Sequence, residues 1–217
     1  MDTGLLKSLV PFFRKYNPLY VKKGQIIIEP EDKLDHIYFI EKGFVRFYHL
    51  TDDGKEFTFL IYKPGYIFPV VYGFLGKETR YYFEAMTPLT LRRATREDFE
   101  EVIRNNIIIN TFIIREMVQR LEEVLEKLEL LTYGNAYRIV CYILKNSAEQ
   151  FGETFGQFTA IQLKLRHQDI ASMSGLSRET VSIEMKKLEK EGLIRYRQGH
   201  VLIKNLAKFA KATGIDF

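Results

Sequence analysis

Between residues 20 and 95 the apolar positions come in short runs, "QIII", "HIYFI", "FVRFYHL", "EFTFLIY" and "LTLRRA", rich in Ile, Val, Phe, Tyr and Thr. Turn formers separate them: Lys23-Gly24, Pro30-Glu31-Asp32, Lys42-Gly43, Asp53-Gly54 and Pro64-Gly65. Strand-like runs punctuated this regularly predict an antiparallel sandwich or barrel. Asp53-Gly54, between two such runs, predicts a hairpin, because Gly tolerates the positive φ a tight turn needs.

The period changes from Arg96. "TREDFEEVI" predicts a short helix capped by Thr95, with acidic residues in the first turn where they favour the helix dipole. A longer helix is expected over 107–131. Ile114, Leu121 and Leu128 recur every seven residues, and Met117, Val124 and Leu131 do so in the companion register. Such a seam fits a coiled-coil partner, and the flanking charges Arg120, Glu122, Glu123, Glu126, Lys127 and Glu129 favour a two-stranded dimer over packing of the stripe on the chain's own β domain.

Thr132-Tyr133-Gly134-Asn135 interrupts the heptads, with Asn135 as the N-cap of a further amphipathic helix, "AYRIVCYILKNSAEQ". A connecting segment, "FGETFGQFTAIQLKL", carries a strand or two. "GLIRYRQGHVLIKN" alternates around Gln198-Gly199 and predicts a hairpin, and "LAKFAKATG" a short closing helix. Between them lies "HQDIASMSGLSRETVSIEMKKLEKEGLI", residues 167–194. Ala171 and Gly175 have the spacing of two helices crossing at a tight turn, with Ile170, Leu176 and Val181 as the small core between them. Ser177 caps the second helix, which places Arg178, Glu179 and Thr180 in an outward first turn with Ser182 close behind. A helix entering the major groove amino end first needs such residues: Arg donates to guanine, Glu accepts from cytosine, and Thr or Ser bonds a phosphate or base edge. The hairpin at 195–203, with Arg195, Arg197 and His200, reads as the wing of a winged helix.

Charge and composition sharpen this reading. The formal charge is +4, yet residues 132–217 hold 13 Lys/Arg against 8 Asp/Glu, so the basic excess sits in the last third, where a polyanion partner or a solvated lysine-rich face accounts for it. The single cysteine, Cys141, leaves no intramolecular disulfide, and it sits in "RIVCYILK" on an expected buried face. The four His, at 36, 49, 167 and 200, lack metal-ligand spacing. No nucleophile–base pair is visible, so an enzyme is not expected. No run is long enough for a membrane span and "MDTGLLKSLVPFF" lacks a leader pattern, so the expected address is the cytoplasm, with no membrane partner. A rival to DNA reading is a small-molecule-binding module whose last domain docks a protein; apolar anchors would then be expected in place of the polar first turn.

On "KGQIIIEPEDKLDHIYFIEKGFVRFY" and on residues 167–194 the chain resembles the Crp/Fnr family of bacterial transcription regulators, along nearly its whole length. The resemblance implies an α+β architecture: an amino-terminal antiparallel β roll, jelly-roll-like, over 1–104; a dimerisation helix and hinge over 105–134; and a carboxy-terminal winged helix-turn-helix over 135–217. It implies a homodimer on a pseudo-palindromic double-stranded DNA site, with RNA polymerase a further candidate partner. The dimer residues would be Ile114, Met117, Leu121, Val124, Leu128 and Leu131. Among DNA-facing residues, Arg178 and Glu179 match contacts to guanine and to the cytosine side of a pair, while Thr180 and Gln168 match phosphate contacts. Ser182 matches the serine of the Fnr-like Glu-x-x-Ser-Arg pattern, but Ile183 stands where that pattern has Arg, which would alter the half-site at that base. Ser177, Arg197 and His200 complete the set.

The effector pocket departs from the cyclic-AMP-responsive pattern. Pro69-Val70 replaces the Gly-Glu pair that binds ribose, and Arg80-Tyr81 replaces the Arg-Ser or Arg-Thr pair that binds phosphate. Val70 cannot accept ribose hydroxyls and Pro69 has no amide hydrogen, so a cyclic nucleotide is not expected and no cofactor is assigned. Tyr62, Tyr66, Phe68, Tyr72, Phe74, Tyr81, Tyr82 and Phe83 crowd the same region. They read either as plain core or as the lining of a site for a small organic anion, with Arg80 as counter-charge and Tyr133 and Tyr137 as lids.

Overall fold

The structure is a computed structural model, and it describes residues 9–75 and 77–215. It divides into two compact units, one built from the chain up to Gly54 and Thr58–Glu123, the other from Lys55–Phe57 and the chain from Val124 onward. Among the described residues no helix is long and apolar enough to cross a membrane.

The first unit is built on eight strands among the described residues, the fifth of which begins with two residues assigned to the second unit: β1 (Pro18–Val21), β2 (Ile26–Ile28), β3 (His36–Lys42), β4 (Val45–Leu50), β5 (Glu56–Tyr62), β6 (Ile67–Phe68), β7 (Tyr82–Ala85) and β8 (Leu89–Thr95). They form two four-stranded sheets, ordered β1-β8-β3-β6 and β2-β7-β4-β5. After His36 the run "IYFI" is apolar because β3 is covered on both faces. Ile37 and Phe39 join Phe13, Ala94, Phe99, Ile103, Ile109 and Ile113 in one core. Ile40 joins Val21, Val45, Phe68, Phe83 and Leu91 in the other, drawn from both sheets, with Tyr38 packed against it. Alternate residues of one strand thus feed two cores, as its period of two requires. The tight turn at Gly43 is confined to glycine: φ is 89° and an added Cβ would lie 2.4 Å from the Pro88 carbonyl oxygen.

Helical residues 9–13 form α1, and within the expected β stretch the structure has a short helix, α2 (Val70–Leu75). Helix α3 (Arg96–Asn105) is capped as expected, the Thr95 hydroxyl accepting the Asp98 amide at 3.1 Å. Helix α4 runs over Ile107–Tyr133, and Asn106 Oδ1 accepts the Ile108 and Ile109 amides at its start. Ile109 and Ile113 turn its buried face inward. The stripe at Ile114, Met117, Leu121, Val124 and Leu128 is exposed, and Leu131 half-buried, so this seam is not the face the helix uses within the chain.

The second unit is built on α5 (Ala136–Phe151), capped by Asn135, whose residues Ile139 to Leu144 are buried almost all round. Burial pushes the Cys141 thiol up to about 12, so it stays an unreactive thiol. The hairpin β9 (Gly152–Phe155) and β10 (Phe158–Ile161) shares a sheet with β11 (Ile194–Arg197) and β12 (His200–Lys204) in the order β11-β12-β10-β9. Helices α6 (His167–Ser174), α7 (Arg178–Lys190) and α8 (Leu206–Thr213) complete the unit.

Candidate nucleic-acid interface

Gly175 ends α6 in the left-handed conformation, φ 69°, its amide donating to the Ala171 carbonyl at 2.9 Å. A residue with a Cβ pays to adopt that conformation, which is why glycine stands at the turn. Ile170, Ala171 and Val181 are buried at the crossing and Leu176 half-buried, as the spacing predicts. Ser177 then caps α7, its side chain accepting the Thr180 amide at 3.1 Å. Val181, Met185 and Leu188 bury one side of α7. That fixes the opposite side outward: Glu179 and Lys186 are exposed, Ile183 is 64% exposed and Ser182, at the edge, is half-buried, while Arg178, on the buried side by its spacing, is exposed as the first residue of the helix.

At the start of α6, the Asp169 side chain reaches back to the N-cap residue, Arg166. The Arg166 amide donates to Asp169 Oδ2 at 2.7 Å, and its guanidinium reaches both carboxylate oxygens at 3.1 and 3.2 Å. Gln168, next along, is exposed. In the wing, Arg197 pairs with His200 across the Gln198-Gly199 turn, where both turn residues have positive φ. Arg195 and Arg197 are exposed, Arg195 lying over the Phe158 ring at 5.6 Å. His200 is half-buried, with Nδ1 2.9 Å from the Ile161 carbonyl oxygen. Since a carbonyl only accepts, Nδ1 carries the hydrogen and Nε2 is the nitrogen left for an outside group.

Two members of this surface were not legible as sites in the sequence. His167 Nε2 lies 3.2 Å from the Tyr196 hydroxyl, joining the start of α6 to the wing. Burial, then the charges of Arg178 and Lys186, hold the His167 pKa below its usual value. Lys164 runs beneath the wing turn, its Cδ 3.6 Å from where a Cβ on Gly199 would be. The alternating cations of "LKLRH" were the available signal.

The effector region of the first unit is filled with rings. Phe47 packs against Phe83 (4.8 Å between centroids), Tyr81 (5.0 Å), Phe59 (5.5 Å) and Tyr72 (6.4 Å). Burial, then the neighbouring Tyr81, push the Tyr72 phenol up to about 12. Tyr81 and Tyr82 part company: the first joins this cluster, the second stacks on Tyr48 at 5.0 Å. Val70 packs against the helix-side core, and Arg80 is exposed, its Nε 3.4 Å from the Tyr81 hydroxyl. Tyr133, at the end of α4, is 84% exposed. A cyclic nucleotide does not fit these residues: Val70 offers no acceptor for ribose, Pro69 no amide hydrogen, and the Tyr81 ring lies against Phe47.

Known proteins share both parts. The cyclic nucleotide-binding domain matches residues 18–106, and the Crp-like helix-turn-helix domain residues 137–212. A global nitrogen regulator of Nostoc sp. is 26% identical over 206 residues, covering 94% of this chain and 88% of that protein. A cyclic AMP receptor protein of Thermus thermophilus is 27% identical over 186 residues, covering 85% and 82%. The structure of a CooA mutant from Carboxydothermus hydrogenoformans has the same fold, with a TM-score of 0.81 at 23% identity over 98% of this chain and 97% of that one. A capped helix-turn-helix that exposes Arg178 and Glu179 in its first turn, joined in one chain to a β roll of this type, defines a transcription regulator that binds DNA rather than an enzyme. Within that class the chain belongs to the Crp/Fnr family.

Proposed function

We propose that two copies of the chain pair through the α4 stripe and bind a pseudo-palindromic duplex, one α7 in the major groove of each half-site. The first turn of α7 carries this reading: Arg178 and Glu179 are exposed and Thr180 half-buried, while Val181, Met185 and Leu188 anchor the helix in the core. Arg178 and Glu179 read base edges, Ser182 and Ile183 the next position, and Ile183 packs on a thymine methyl where an Arg would have donated to guanine. Gln168, Ser177 and Thr180 hold phosphates, and Arg197 and His200 touch the flanking backbone from the wing. The dimer is supported by five apolar side chains at heptad positions left 45–59% exposed, an arrangement that favours a second helix over water.

The roll answers to chemistry other than a cyclic nucleotide. Although a relative is named for cyclic AMP, the Pro69-Val70 and Arg80-Tyr81 pairs favour a small organic anion, with Arg80 as counter-charge beside the rings of Tyr72 and Tyr81. Selection from a random duplex library at two salt concentrations tests the DNA reading. Arg178→Ala should flatten the selected motif, and Gln168→Ala should weaken all sequences alike; no enriched motif with the unaltered protein would refute the reading.

A further inference from the structure

We propose that His167 and Tyr196 form a proton-linked seat for a DNA backbone phosphate, in which His167 takes up a proton as the phosphate arrives. The proposal rests on the DNA reading above and adds to it a residue pair and a pH dependence. His167 is the first residue of α6 and Tyr196 lies on β11 of the wing, their side chains meeting at 3.2 Å. Tyr196 is 41% exposed and His167 half-buried, so the pair reaches the surface that carries Arg178 and Lys186.

The charges around the pair favour an anion. Arg178 opens α7 and Lys186 lies about two turns further along it; both act on the His167 ring and, with burial as the larger cause, keep it neutral below the pH at which a free imidazole would lose its proton. On the ring's own helix, the Asp169 carboxylate is engaged by Arg166. Burial, and Glu189 after it, push the Tyr196 phenol up to about 12, so it remains an O–H donor wherever the protein is folded near neutrality. A phosphate here would offset the repulsion that holds the proton off.

The hydrogen bond between the two side chains can then reverse. With His167 neutral, Nε2 accepts the Tyr196 hydroxyl hydrogen. A proton from solvent on Nε2 turns that nitrogen into a donor to the Tyr196 oxygen, and the hydroxyl hydrogen is released to point outward. The freed hydroxyl then donates to the phosphate, and the charged ring behind it attracts the anion. No bond other than N–H and hydrogen bonds changes.

The test is duplex binding by the full chain, followed by fluorescence anisotropy at fixed ionic strength between pH 6 and 8, on a sequence enriched from the library. The unaltered protein should bind about three- to tenfold more tightly at pH 6 than at pH 8, a proton-linked site contributing at most tenfold per pH unit. His167→Gln should bind with no such slope, His167→Lys tightly with none, and Tyr196→Phe with a shallower one. These comparisons are made on a His200→Gln background, because His200 too needs a proton on Nε2 before it can donate to a phosphate, and on that background the His167-dependent slope should persist. Calorimetry in two buffers of different ionisation enthalpy should show net proton uptake on binding, lost in His167→Gln. Specific binding that is flat with pH, or a slope that survives in His167→Gln, would overturn the proposal while leaving the DNA reading intact. An absence of binding at every pH would instead remove both.

Discussion

The side chain of Ser177 accepts the amide of Thr180 at 3.1 Å, and the two hydroxyl oxygens lie 3.0 Å apart. One residue therefore ends the turn, starts α7 and holds a neighbouring hydroxyl at the proposed phosphate surface. Ser177→Ala should cost about 1 kcal/mol of stability by removing the cap, read by urea unfolding, and should weaken duplex binding. Ser177→Asp separates the two roles: it caps as well as serine, so stability should return, but its charge faces the backbone, so affinity should fall further. Equal loss of stability in both variants would count against the cap as the source.

Ile183 is 64% exposed on a helix whose buried side is already complete. An apolar side chain held out to water at that position is best explained by an apolar group it meets when bound. Ile183→Ala should lose about 1 kcal/mol of discrimination at one base pair of each half-site. Ile183→Arg should move the selected base toward guanine. Sequencing of duplexes selected by each variant decides, and an unchanged motif in both would place Ile183 outside the groove.

How much of this was readable in the chain depends on how local each signal is. Gly175, Ser177 and the polar first turn follow from neighbours in sequence, so the helix-turn-helix was legible residue by residue. The strand β3 was legible as a strand, but its apolar run could not say that Ile37 and Ile40 serve different cores. Helix α2 was missed because six residues, "VVYGFL", beginning with two β-branched side chains, carry no helical period inside a strand-rich stretch. Tyr81 and Tyr82 could not be assigned to opposite sides without knowing where β7 begins. His167 and Tyr196 lie 29 residues apart, and only the sheet that returns the wing to α6 brings them together.

The exposed stripe on α4 gives a direct test of assembly. Leu121 and Leu128 are each 59% exposed, so an aspartate at either place disturbs no packing within the chain. Leu121→Asp with Leu128→Asp should leave the far-ultraviolet circular dichroism unchanged and halve the mass by sedimentation velocity. Duplex affinity should fall by about a hundredfold or more, since two linked half-site contacts become one. A dimer that survives both substitutions would move the interface elsewhere.

Lys127 gives the clearest pH signature. Burial lowers its pKa from 10.5 to about 8, and its ammonium lies 4.8 Å from the centre of the Phe57 ring. An unfolded chain keeps that proton up to the usual lysine value, so between about 8 and 10.5 the unfolded state holds more protons than the folded one. Stability must therefore rise with pH across that window, while below it the buried charge imposes a constant cost. The shift sets a ceiling of about 3 kcal/mol on that cost, and contact with the Phe57 ring offsets about 0.5–1 kcal/mol of any gain from removing it. Lys127→Met, which keeps the length and discards the charge, should stabilise the chain by about 1–2 kcal/mol at pH 7. By about pH 10.5 the advantage should vanish, because the lysine is then neutral in both states. Urea unfolding at pH 7, 9 and 10.5 reads the effect. A methionine variant no more stable at pH 7, with the same pH profile as the unaltered chain, would show that Lys127 keeps its proton at no cost to the fold.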